Sequence, residues 1–178
     1  MSAQPKLLSW FATPATEADF AALYQAELPR IYNFFRYRLG DGPLAEDLTS
    51  ETFEKAWKNR ERYRRDLAAF STWLFTIARR VATDHYRRPH TEVSIDDISP
   101  LADETTPEGV AQERDEFARL SALLARLPER ERELVALKYG AGFTNRAIAR
   151  LTGLSESNVG TILHRATQQL RAEWEEQP

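Results

Sequence analysis

The chain has no cysteine among its 178 residues. That excludes disulfides, thiolate zinc sites and a cysteine nucleophile, and it fits a reducing cytoplasm without requiring one. No apolar run approaches the ~20 residues needed to cross a bilayer. The start, MSAQPKLLSWF, carries one lysine and too short an apolar stretch for a secretory signal. A cytoplasmic protein with no membrane insertion is therefore expected. Histidine is scarce: His85, His90 and His164 lie in different segments without ligand spacing, so no metal site is expected. Phosphate-binding loops, dinucleotide fingerprints and nucleophile elbows are absent, so neither a cofactor nor a catalytic set is expected. Strictly alternating apolar patterns are missing too, which leaves no predicted strand.

What is present is charge, and it is unevenly placed. The formal net charge is −3. Residues 60–90 hold eight Arg and three acids, net +5; residues 91–116 hold nine acids and Arg114, net −8; residues 144–171 hold four Arg and Glu156, net +3; three Glu follow in 172–178. A ligand at contact distance feels the charge within about one Debye length, ~8–10 Å, so the blocks matter more than the total.

The helical period recurs along the chain. Phe20, Leu23, Tyr24 and Leu28, then Ile31, Phe34, Phe35 and Leu39, mark a first helix that Pro29 is expected to break or kink. GDGP at 40–43 is a turn. In the next helix Leu44, Ala45, Leu48, Thr52, Ala56 and Trp57 fall inward, opposite a stripe of Asp47, Ser50, Glu51, Glu54 and Lys58. A basic loop, 60–68, leads to the most regular pattern: Phe70, Trp73, Leu74, Ile77, Ala78 and Val81 on one face. Further on, Phe117, Leu120, Leu123, Leu124 and Leu127 mark a helix, and Pro128 opens another that ends at the Gly140–Gly142 breaks. A short helix over 144–152, a turn at Gly153 and a helix capped by Ser155 complete the chain. The predicted fold is all-α: two small helical domains joined by a flexible acidic linker. The divisions are a tail at 1–16, a domain at 17–90, the linker at 91–112 and a second domain at 113–178.

Three surfaces carry chemistry. In the last two helices Ala147, Ile148 and Leu151, with Leu154, Val159, Leu163, Ala166 and Leu170, face inward. Ser157, Asn158, Thr161, His164, Arg165 and Gln168 then face outward, a hydrogen-bonding surface of the kind that enters a major groove. An ordinary helical hairpin would show the same polar face. In the basic block, Tyr63, Phe75 and Tyr86 are interleaved with Arg60, Arg62, Arg64, Arg65, Arg79, Arg80, Arg87 and Arg88. Aromatic faces stack on unpaired bases while guanidinium groups hold phosphates, although a solvated basic surface has the same composition. The stripe of Asp47, Glu51 and Glu54 reads as a protein-docking surface in preference to an active site.

In series, these segments resemble the extracytoplasmic-function (ECF) sigma factors. AEDLTSETFEKAWKN resembles the family's polymerase-binding segment, FSTWLFTIARRVATDHYRR its −10-reading and melting segment, and LPERERELVALKYGAGFTNRAIARLTGLSESNVGTILHRATQQLR its −35-reading domain. The resemblance spans 17–175 and makes the two domains sigma region 2 and sigma region 4. It implies that Asp47, Glu51, Phe53 and Trp57 dock on the clamp helices of the polymerase's largest subunit. Residues 60–69, with Arg60, Arg62, Tyr63, Arg64 and Arg65, would capture a flipped −10 base. Arg79, Arg80, Asp84, Arg87 and Arg88 would lie along the −10 DNA, and Ser157, Asn158, Thr161, His164, Arg165 and Gln168 would face the −35 groove. It further implies a bacterial cytoplasmic protein that contacts the flap of the second-largest subunit and promoter DNA, and that is held by an anti-sigma factor. Ser50, Arg80, Gly160 and Ile162 depart from the family's usual residues. Rival readings are a stand-alone helix-turn-helix regulator and a small helical enzyme; the first lacks a visible dimer surface and the second any converging catalytic set.

Overall fold

The computed structural model describes residues 17–87 and 107–176. Among them every regular element is helical: α1 (Glu17–Leu39), α2 (Gly42–Lys58), a 3₁₀ turn (Arg60–Arg62), α3 (Phe70–Arg87), α4 (Pro107–Arg126), α5 (Glu129–Val135), a π turn (Ala136–Gly140), α6 (Asn145–Thr152) and α7 (Glu156–Glu176).

Pro29 does not break α1, which runs through it. Pro29 is exposed, as is Gln25 one turn earlier, so the carbonyl that loses its proline partner can be met by water. Gly40 ends α1 at φ +77°, a conformation that L side chains rarely adopt. Asp41 then caps α2, accepting a hydrogen bond from the Leu44 N–H at 3.0 Å, with Pro43 in the first turn. The other proline boundary also differs from expectation. α4 starts at Pro107, inside the predicted linker of 91–112, because a proline in the first turn forfeits no helical bond. The remainder of the linker, 91–106, lies outside the described residues, as does Arg88.

The first three helices bury one face each. Ile31, Phe34 and Phe35 of α1, Ala45, Leu48, Phe53 and Ala56 of α2, and Phe70, Leu74, Phe75, Ala78, Val81 and Ala82 of α3 are all buried. Two placements are corrected here. Phe53 packs on Tyr24 with ring centroids 4.4 Å apart and belongs to the core, not to a docking surface. Phe75, grouped with base-stacking aromatics, is completely buried, edge-on to Phe34 at 5.6 Å.

In the second half, Thr144 caps α6 through the Ala147 N–H at 3.2 Å, and Gly153, at φ +75°, turns the chain. Ser155 caps α7 through the Asn158 N–H at 3.2 Å. Ile148, Val159, Leu163 and Ala166 are buried as the periodicity predicts. The two halves do not stand apart: one apolar core runs through both. The π turn and the segment after it lie against α1, and Phe143 meets Phe75 edge-on at 4.7 Å.

Candidate polymerase and nucleic-acid interface

On α2, Asp47 is exposed, and Glu51 is partly exposed and paired with Lys55 at 2.8 Å. Glu54 pairs with Lys58 at 2.5 Å, which lowers its pKa. These contacts follow from i,i+4 spacing and leave an outward ionic stripe. Trp57 is half-buried, edge-on to Phe20 at 5.0 Å and covered by the Arg60 guanidinium at 4.0 Å. Its indole therefore joins the stripe to the basic loop.

That loop surrounds an aromatic nest. Tyr63 lies 5.4 Å from Phe70 and 5.1 Å from Trp73, and its hydroxyl donates to the Ala68 carbonyl at 3.2 Å. Burial raises the Tyr63 pKa, so the phenol stays protonated at neutral pH. Arg62, Arg64 and Arg65 are exposed around it, and Arg64 is held by Asp66 at 2.7 Å. A cluster of tilted and edge-on rings, with Tyr63 and Trp73 partly exposed and guanidinium groups around them, offers ring surface to an unpaired base and positive charge to its phosphates. Along α3, Arg80, Asp84 and Arg87 are exposed. Tyr86 is turned inward, donating to the Arg38 carbonyl at 3.0 Å.

Arg79 is placed differently from its neighbours. Its Nε donates to Glu133 at 2.9 Å, and an Nη donates to the Leu151 carbonyl, both in the second half of the chain. Glu133 also takes Nη1 of Arg38 at 2.5 Å, while Nη2 of Arg38 reaches Glu129 at 3.1 Å. Burial opposes ionisation of Glu133, but Arg79 and Arg38 outweigh it and hold its pKa below the ordinary value.

All of the outward residues predicted for α7, Ser157, Asn158, Thr161, His164, Arg165 and Gln168, are exposed, and they share one side of a capped helix. Thr161 back-bonds to the Ser157 carbonyl at 3.0 Å. Arg165 pairs with Glu131, whose side chain is only 10% exposed against 69% for Arg165. Ile162 is partly buried against the core, and a Cβ at Gly160 would meet Asn145 at an ordinary 3.6 Å. Glu131, Glu133 and Arg38 were not singled out from the sequence. No spacing pattern links partners 34 or 95 residues apart. Among the described residues no group of His, Asp and Glu is arranged to hold a metal ion, and no helix is long and apolar enough to cross a membrane.

A capped helix-turn-helix follows, in chain order, a basic aromatic cluster and an ionic helix, and comparisons with known proteins give the same order. Residues 23–91 match the family Sigma-70 region 2, and residues 117–170 match Sigma-70, region 4. The ECF RNA polymerase sigma factor BldN of Streptomyces coelicolor is 33% identical over 88% of this chain and 61% of its own length. The ECF RNA polymerase sigma factor SigM of Bacillus subtilis is 30% identical over 84% of this chain and 91% of its own. The sigma factor RpoE of Bartonella quintana, solved in complex with the anti-sigma factor NepR, shares the fold with a TM-score of 0.69 at 22% identity, covering 90% of this chain and 99% of that one. The chain belongs to the ECF sigma factors, which direct RNA polymerase to promoters.

Proposed function

We propose that this sigma factor has no catalytic role of its own and acts in the bacterial cytoplasm through three separate surfaces. The exposed acids of α2, Asp47 and Glu51, face the polymerase. The nest of Tyr63 and Trp73 with Arg60, Arg62, Arg64 and Arg65 takes an unpaired base of the −10 element, and Arg79, Arg80 and Arg87 follow the adjoining backbone. Ser157, Asn158, Thr161, His164, Arg165 and Gln168 read the −35 element. An anti-sigma factor, as in the RpoE–NepR complex, is the proposed inhibitor.

The observation that carries this reading is the α7 face. Its polar residues are all exposed while Val159, Leu163 and Ala166 beneath them are buried. The test is run-off transcription with purified core polymerase on promoter fragments. Promoter-specific transcripts should require both components. Tight, specific duplex binding by the free protein at physiological salt, with no polymerase-dependent transcript, would instead establish a stand-alone regulator.

A further inference from the structure

We propose, resting on the reading that α7 enters the −35 groove, that Arg146 and Arg150 of α6 grip the DNA backbone beside it and supply the positive charge that α7 lacks. Cations that neutralise phosphates give a large share of DNA affinity, whereas contacts to base edges give the choice of sequence. α7 is built for the second task. Of its outward residues Ser157, Asn158, Thr161, His164, Arg165 and Gln168, only Arg165 carries a fixed charge, and Glu131 already holds it. Residues 144–171 contain four arginines and no lysine. Arg171 lies toward the far end of α7, where it lines an apolar hollow with Tyr37, Leu120 and Tyr139. The remaining two are Arg146 and Arg150, both on α6.

Both are exposed, and no carboxylate among the described residues pairs with either. Arg146 stands in the first turn of α6, where the helix dipole favours an acid, and Arg150 follows at i+4, where like charges repel. Both placements disfavour the free helix and become favourable when a polyanion lies across it. Four residues apart on one helix, the two Cβ atoms stand about 5–6 Å from each other, and the long side chains can spread over neighbouring phosphates of one strand.

The packing of α6 on α7 brings this pair to the edge of the reading face. A Cβ at Gly160 would stand 3.6 Å from Nδ2 of Asn145, the residue before Arg146. Gly160 lies three residues after Ser157 and four before His164, so the first turn of α6 borders the outward face along that edge. Having no side chain, Gly160 adds nothing between the start of α6 and a duplex on that face. The opposite edge is formed by Arg165 with Glu131 of α5. In a helix-turn-helix the first helix crosses the backbone while the second lies in the major groove, and an arginine pair on α6 meets phosphates in that arrangement.

Arg146→Gln with Arg150→Gln removes both charges at exposed positions. In complex with core polymerase, this variant should bind a promoter fragment more weakly than wild type, by the same factor on every member of a −35 substitution panel. The slope of log affinity against log salt should become shallower by about 1.8, since each phosphate contact contributes roughly 0.9. Between about 50 and 200 mM salt, the affinity lost by the variant should then be roughly tenfold smaller than that lost by wild type. Arg146→Lys with Arg150→Lys should keep affinity and slope, because Lys binds phosphate as a point charge. On a fragment cut short of the −35 duplex, wild type and the Gln variant should bind equally. Circular dichroism checks folding, and if the double Gln variant does not fold, Arg150→Gln alone decides with half the slope change. Unchanged affinity and slope overturn the grip, as does an equal loss in the Lys variant. A loss confined to some −35 variants overturns it by making the arginines base readers, and a loss that persists on the shortened fragment overturns it in favour of an acidic protein surface. The reading of α7 is tested apart, by Thr161→Ala with His164→Ala. If the −35 profile shifts while the Gln variant binds as wild type, only the grip fails; if the profile is unaltered, α7 is not in the groove and the grip beside it fails as well.

Discussion

The two faces of α7 should separate stability from promoter choice, one residue apart. Leu163 is 5% exposed and packs under the helix-turn-helix, whereas His164 beside it is exposed. Truncating Leu163 to Ala removes buried methyl groups and leaves a cavity, which costs about 2–5 kcal/mol. Against a total of about 5–15 kcal/mol for a folded domain, that is a large fraction. It should lower the melting temperature by roughly 4–20 °C, taking about 2–4 °C per kcal/mol for a chain of this size. His164→Ala should change stability by under ~0.5 kcal/mol, as surface substitutions usually do. Urea and thermal unfolding measure the first quantity, and run-off transcription across a panel of −35 substitutions measures the second. His164→Ala should redistribute promoter preference at one or two −35 positions with unfolding unchanged. The reasoning fails if Leu163→Ala costs less than ~1 kcal/mol, because the inward face would then not be packed. It also fails if Thr161→Ala and His164→Ala together leave the −35 profile unaltered.

Replacing Asp47 and Glu51 together by Ala should weaken core-polymerase binding in a pull-down while helicity is retained; full affinity in the folded double variant would remove α2 from the polymerase surface. Arg165→Ala strands the nearly buried Glu131, so it should cost ~1–3 kcal/mol of stability, part of which Glu131→Gln in the same chain restores. Any −35 effect of Arg165 is then read in the Glu131→Gln background, where the structural cost is removed. The depressed pKa of Glu133 sets a pH dependence: its stabilisation is complete above the unfolded value, near 4.5, and is lost as pH falls through the lower folded value. Urea midpoints of wild type and Glu133→Gln should therefore differ at pH 7, and the difference should shrink as the pH falls below about 4.5.

How much was legible in the sequence depended on whether the determining contacts were local. α3 and α7 could be read because a 3.6-residue period requires only neighbours on one helix, and the Ser155 cap because its partner is three residues away. Pro29 and Pro107 misled because a proline's effect depends on exposure and position, which the residue name does not carry. Phe75 was grouped with base-stacking aromatics because its interleaving with arginines says nothing of which face it takes, and Phe53 was given a docking role by the resemblance alone, which carries no burial. The inter-region ion pairs were not visible at all. Arg38 and Glu133 stand 95 residues apart, and only the folded chain makes them neighbours.

The same contacts revise the charge argument. Counted by block, residues 60–90 carry net +5 and residues 144–171 net +3. In the folded chain Arg64 is held by Asp66, Arg79 by Glu133 and Arg165 by Glu131. Three of the arginines expected to face DNA thus meet a carboxylate before they meet a phosphate. The exposed Arg64–Asp66 pair adds little net stability, whereas removing the arginine from the other two strands the largely buried Glu133 or Glu131. On the proposed reading, a DNA phosphate or base that engages any of these arginines displaces an acid to do so.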